Sequence, residues 1–221
     1  MTPSGRGAGV TLAMTGASGA RYGLRLLECL VRAGGPVHLM LSKPGMLVIA
    51  AETDERLPGR PAGIARYFSE RYGAAPGQLQ AYGPEEWTAC VASGSGAPPA
   101  MVVCPCSMAT VSAIATGASR SLIERAADVA LKERRTLILV PRETPLSVIH
   151  LRNLLAVAEA GGIVLPASPG FYHRPGRIED LVDHVVARVL DHLGIEQNLA
   201  PRWGAEPAAD SDAPPIRRPE G

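Results

Sequence analysis

Five short polar stretches hold the residue types able to do chemistry, and each follows an apolar run. They are Thr15-Gly-Ala-Ser-Gly19, Ser42-Lys43-Pro44 with Glu52-Thr-Asp54 shortly after, Cys104-Pro-Cys-Ser-Met-Ala-Thr110, Pro141-Arg-Glu-Thr-Pro145 and Gly170-Phe-Tyr-His-Arg174. A turn of glycine, alanine and serine lets backbone N–H groups approach a phosphate or a ring edge, and Ser18 adds a hydroxyl. The same small residues also serve tight strand-to-helix packing with no ligand. Glu52 is either a buried carboxylate suited to proton transfer or an ordinary solvated helix end. Ser107 and Thr110 are spaced to cap a helix, and the same hydroxyls suit a phosphate tail. Arg142 and Glu143 place a cation and an anion at the mouth of an apolar strand, where each needs a partner. Tyr172 combines with basic neighbours, and Arg188 lies further along.

The elements that must position these groups are legible as alternating patterns. Val10–Met14, Val37–Leu41, Met101–Val103, Leu137–Val140 and Ile163–Leu165 are apolar and partly β-branched. Helical spacing fills the intervals, so the chain reads as βαβ units around a parallel sheet buried on both faces. One helix is predicted from Gly19 to Arg32, ending at Gly34-Gly35, and another from Ser121 to Arg134. A closing helix runs from Ile178 and stops before Gly194, with Glu179 and Asp180 in its first turn. Pro105 is expected to break the third strand. Residues 54–99, interrupted by prolines and glycines, are expected to form a helix and loops near the site. In open parallel sheets ligands bind beyond the carboxyl ends of the strands, so the polar stretches belong to one crevice.

Bulk composition narrows the function classes. A chain of 221 residues, 46% apolar, suits a single globular domain. Its net charge of +1 carries no excess that would indicate nucleic acid or an anionic membrane surface. No apolar stretch approaches the roughly 20 residues of a membrane span, which with the polar N-terminus points to the cytoplasm. Four cysteines, without a C-x-x-C pair, read as reduced structural thiols, and no metal site is expected. Residues 205–221, almost devoid of apolar side chains, are predicted to be a disordered tail after a domain covering 1–204.

Taken together, Met14-Thr-Gly-Ala-Ser-Gly-Ala20, Glu52-Thr-Asp54, Cys104-Pro-Cys-Ser107, Arg125-Ala-Ala-Asp-Val-Ala-Leu-Lys-Glu-Arg-Arg135, Pro141–Pro145, Gly170–Pro175 and Arg202-Trp203 resemble the UbiX/Pad family of flavin prenyltransferases over about residues 8–204. The resemblance implies an α/β, flavodoxin-like or Rossmann-like doubly wound sheet. It also implies a homo-oligomer, a dodecamer, with FMN held where subunits meet. It implies that a dimethylallyl group passes from dimethylallyl phosphate to N5 and C6 of reduced FMN, without a metal. Phosphate is released, and the prenylated FMN goes to a UbiD-type decarboxylase of ubiquinone synthesis or aromatic-acid breakdown.

Carried across residue by residue, Gly16, Ala17, Ser18, Ser42, Ser107, Met108, Ala109, Thr110 and Arg142 would contact FMN. Lys132, Glu143, Tyr172 and Arg188, with Arg125 nearby, would grip the substrate phosphate, Lys132 and Glu143 coming from a neighbouring subunit. Glu52 would move protons at the flavin with the help of Ser18. Trp203 is either an aromatic wall of the site, in company with Trp87 or Tyr172, or plain interface packing. Two rivals differ in class. One is a non-catalytic FMN carrier, against which the basic phosphate cluster argues. The other is an FMN-dependent cysteine decarboxylase, whose catalytic histidine and substrate motif have no clear counterpart among His38, His150, His173, His184 and His192.

Overall fold

The computed structural model describes residues 9–200. Trp203, the 204 boundary and the 205–221 tail therefore lie outside the described residues. Six parallel strands, β1 (Val10–Met14), β2 (Val37–Leu41), β3 (Leu79–Tyr82), β4 (Ala100–Cys106), β5 (Thr136–Pro141) and β6 (Ile163–Val164), lie in the order 3-2-1-4-5-6. This is the Rossmann-like form of the doubly wound sheet, with its switch point between β1 and β4. The helices are α1 (Ala20–Arg32), α2 (Lys43–Glu52), α3 (Pro61–Tyr72), α4 (Met108–Ala115), α5 (Leu122–Lys132), α6 (Val148–Glu159) and α7 (Ile178–Leu193).

Two apolar cores form because successive strand residues face opposite ways. Val102 and Cys104 of β4 join the core under α1 and α7, whereas Met101, Val103 and Cys106 join the one under α4 and α5. Continuous apolar runs are therefore what the central strands need, since both faces are covered. Burial pushes the Cys104 and Cys106 thiols far up, so both stay neutral.

Two expectations need correction. β4 does not stop at Val103: it continues through Pro105 to Cys106, with an irregularity in its pairing to β5 over that stretch. Proline is accommodated because the ladder has already shifted there, so no regular N–H is lost. The 54–99 segment also hides an edge strand, β3, whose four residues are too few to show a period. Helices α2 and α4 are marked in the sequence only by the helix end at Glu52 and the caps Ser107 and Thr110, and α6 is not marked at all, because none of the three shows a clear apolar stripe. The first two are mostly apolar on every side and show no strong stripe, and α6 has apolar residues on both its buried and its exposed sides.

Gly23 shows how closely α1 packs on the sheet. A Cβ at this position would sit 2.3 Å from the Cys104 carbonyl oxygen and 2.9 Å from the Met14 sulfur. Gly23→Ala is expected to cost about 2–3 kcal/mol, because the obstacle is backbone. Thermal unfolding should show Tm lowered by about 5–10 °C, and an unchanged Tm would refute the close approach.

Candidate functional site

The carboxyl ends of four strands are stitched together by short hydrogen bonds. The Thr15 hydroxyl donates to the Pro105 carbonyl at 3.1 Å and accepts from the Ser107 N–H at 2.8 Å. The Ser42 N–H donates to the Met14 carbonyl at 3.1 Å, and the Arg142 N–H to that of Cys106 at 3.4 Å. The Arg142 Nε–H reaches across to the Ser18 carbonyl at 3.1 Å. These bonds draw the turns after β1, β2, β4 and β5 into one crevice at the switch point. Thr15 is thus a site-building residue that the sequence analysis passed over, although it opens the glycine turn.

At the centre of this edge stands Glu52, the last residue of α2. Its Oε2 accepts from the Gly19 N–H at 2.9 Å and the Ala20 N–H at 2.8 Å. Its Oε1 accepts from Gly19 at 3.2 Å. The carboxylate caps α1, whose own N-cap residue is a left-handed glycine with no side chain to offer. Burial alone would raise its pKa. The Ser18 hydroxyl, the Gly19 and Ala20 N–H groups and the Arg142 charge outweigh that and hold Glu52 below the ordinary carboxylate value. Glu52 is therefore neither a fully buried carboxylate nor a merely solvated helix end: it is partly exposed and ionised at pH 7. It also redirects the anion site, because the α1 N-terminus is already answered by a carboxylate of the same chain.

Two other helix starts open on the same crevice. Ser107 caps α4 by accepting from the Thr110 N–H at 3.3 Å, and the two hydroxyls lie 3.0 Å apart. Ser42 caps α2 through the Gly45 N–H at 3.0 Å. Met108 is buried while Ala109 is exposed, so their contribution to any ligand comes through backbone N–H groups at the α4 start. Gly16 is small for a packing reason: a Cβ there would meet the Pro44 Cβ at 2.4 Å. Ala17 is buried beside it, and Ser18 is exposed. Small turns, capped helix starts and one arginine at a polar edge over an apolar sheet form a donor set that fits a flavin mononucleotide.

The predicted phosphate residues are not brought together in one chain. Tyr172 and Arg188 line a cavity of about 750 Å³ along α7, with His184, Asp191 and Glu196. Arg188 pairs with Asp191 at 2.7 Å. Lys132 ends α5, just before β5 begins, next to Glu133 at 2.5 Å. Glu143 follows the other end of β5 and takes the Thr144 N–H at 3.1 Å. A six-residue strand separates the two by about 20 Å. Arg125 is engaged locally, donating to the Ala92 carbonyl at 3.2 Å and pairing with Asp128 at 3.0 Å. Trp87 is half exposed and Tyr172 largely so.

One buried charge went unforeseen. Glu55 is only 7% exposed, accepts the Tyr67 hydroxyl and pairs with Arg71 of α3 at 2.7 Å. It anchors the chain three residues beyond Glu52, and no local pattern announces it, because its partners are 12 and 16 residues away.

Among the described residues there is no cluster of His, Cys, Asp or Glu able to hold a metal, and no helix is long and apolar enough to cross a membrane. The model of the Flavoprotein family matches residues 4–190. The flavin prenyltransferase UbiX of Pseudomonas aeruginosa is 59% identical over 197 residues, covering 89% of this chain and 94% of that one. A crystal structure of AnUbiX (PadA1) in complex with FMN and dimethylallyl pyrophosphate superposes with a TM-score of 0.79 at 42% identity, over 90% of this chain and 99% of that one. A dodecameric FMN-dependent UbiX-like decarboxylase from Escherichia coli O157:H7 gives 0.78 at 40% identity, over 89% and 100%. With its switch-point crevice, its capped helix starts and these relatives, the chain belongs to the Flavoprotein family and, within it, to the UbiX flavin prenyltransferases.

Proposed function

We propose that this protein is a flavin prenyltransferase that binds reduced FMN in the switch-point crevice and transfers to it a dimethylallyl group from dimethylallyl phosphate, releasing phosphate. The observation that carries the reading is Glu52, ionised and fixed between Ser18 and the start of α1, beside Arg142 at the mouth of the sheet. Relatives named for this activity, at up to 59% identity, support it.

When bound, reduced FMN supplies the nucleophilic ring atoms N5 and C6. Arg142 and the α4 start, with Ser107 and Thr110, hold its phosphate and ring by charge and by N–H and hydroxyl donors. Gly16, Ala17 and Ser42 shape the wall. The Glu52 Oε1 makes one backbone bond, of 3.2 Å, and so keeps acceptor capacity for a proton. Ser18 orients that exchange. Tyr172 and Arg188 grip the substrate phosphate, with Arg125 nearby and Lys132 and Glu143 supplied by neighbouring copies. Arg142→Ala is expected to weaken FMN binding about 10- to 100-fold, the worth of a charged hydrogen bond, as read by fluorescence titration; wild-type affinity would remove Arg142 from the site.

Separation of the phosphate residues within one chain supports a homo-oligomer with sites at subunit contacts. So does α6, where Val148, Leu151 and Leu155, at i, i+3 and i+7, are more than half exposed. The assembly is read as a dodecamer, the location as cytoplasmic, and the recipient of the prenylated FMN as a UbiD-type decarboxylase. The deciding experiment is anaerobic incubation with reduced FMN and dimethylallyl phosphate, followed by the mass of the extracted flavin. A gain of one five-carbon unit with phosphate release establishes the transfer. Unmodified FMN on a protein that binds it would indicate an FMN carrier instead.

A further inference from the structure

The loop that carries Tyr172 is held against α7 by two ring contacts that the reading above does not use. The His184 ring meets that of Tyr172 edge-on, with centroids 6.3 Å apart and planes at 60°. It lies flat against His173, at 5.2 Å and 10°. His184, Arg188 and Asp191 stand at i, i+4 and i+7, share one side of α7 and line the same cavity as Tyr172. The Nε2 of His173 is buried and has no hydrogen-bond partner, the one such side-chain atom among the described residues. An unpaired buried nitrogen is destabilising, so ring stacking, and not a hydrogen bond from that atom, keeps His173 in place.

We propose, building on Tyr172 and Arg188 as phosphate ligands, that His184 is a positioning residue for the allylic phosphate: it clamps the 170–175 loop so that the Tyr172 phenol and the Arg188 guanidinium face one cavity. The clamp requires a neutral ring. A proton on His184 would face the Arg188 guanidinium one turn along, which repels it. Burial, His173 and Arg188 in turn hold the His184 pKa below the ordinary imidazole value. The other titratable groups on this cavity are Tyr172 from the loop, Asp191 on α7, already paired with Arg188, and Glu196 beyond the helix. From α1, Arg25 is tied to Asp183 at 2.7 Å. Protonation therefore comes only under acid conditions, and it releases the loop.

The test uses the whole protein loaded with oxidised FMN, which binds without turning over, and titrates it with dimethylallyl phosphate. KM and kcat are then measured with reduced FMN. His184→Ala is expected to raise both Kd and KM about tenfold, the worth of an aromatic pair, with kcat and FMN content within about twofold of wild type. His184→Phe keeps the stack and is expected to stay within about twofold of wild type at pH 8. Between about pH 8 and pH 5 the ratio of wild-type KM to that of His184→Phe should rise, because the two proteins differ only in the His184 imidazole. The comparison cancels ionisation of the substrate itself. Wild-type Kd and KM in His184→Ala, or a ratio that is flat or falls with acid, would overturn the proposal. A wild-type protein that neither binds dimethylallyl phosphate nor prenylates FMN would instead sink the functional reading, and the clamp with it.

Discussion

Glu52→Gln is expected to retain FMN while slowing adduct formation about 10²- to 10⁴-fold, the usual worth of a positioned acid–base group. The amide still fills the space at the α1 start and offers an oxygen to the Gly19 or Ala20 N–H, so the crevice keeps its shape. What it loses is the ability to take a proton, together with the negative charge that answers Arg142 and the helix start. Single-turnover spectra under anaerobic conditions measure the effect, with flavin content as the control. Wild-type rates in a flavin-loaded variant would remove Glu52 from the chemistry.

The same substitution has a pH signature. Because the pKa of Glu52 is lowered on folding, its stabilising contribution is fully present above the ordinary carboxylate value and lost as pH falls through the lowered one. Acid unfolding of the wild type should therefore lose this increment in that window, and Glu52→Gln should lack it.

Leu151→Glu combined with Leu155→Glu is expected to break the assembly and abolish turnover, leaving folded smaller species. Both side chains are more than half exposed on α6 in the single chain, so the substitutions leave its core intact. A symmetric contact would bury the new carboxylates from every copy, at a cost of several kcal/mol for each ion left unpaired. Turnover should fall at least about 100-fold, because Lys132 and Tyr172 lie on separate parts of one chain and orientation of reacting groups carries effects of that size. Light scattering reports the mass, circular dichroism the fold, and extracted flavin the activity. An unchanged mass would remove α6 from the interface.

The sequence by itself determined the class of fold and which polar stretches follow its strands. Five of the six strands are legible because a parallel sheet covered on both faces demands unbroken apolar runs, and those runs are local. The stretches after β1, β4 and β5, with Glu52 ending α2, are legible because helix starts and turns need particular residue types at fixed offsets. Only the tertiary structure decided how Glu52 is used. Its partners, Gly19 and Ala20, are more than 30 residues away, and their N–H groups help to hold the carboxylate below its ordinary value despite burial. Tertiary contacts alone also made Glu55 a buried anchor, stitched β1 to β4 through Thr15, set His184 edge-on to Tyr172 and flat on His173, and left Lys132 and Glu143 at opposite ends of β5. Such outcomes depend on groups distant in sequence, whose energies arise from burial and partner geometry that no local pattern encodes.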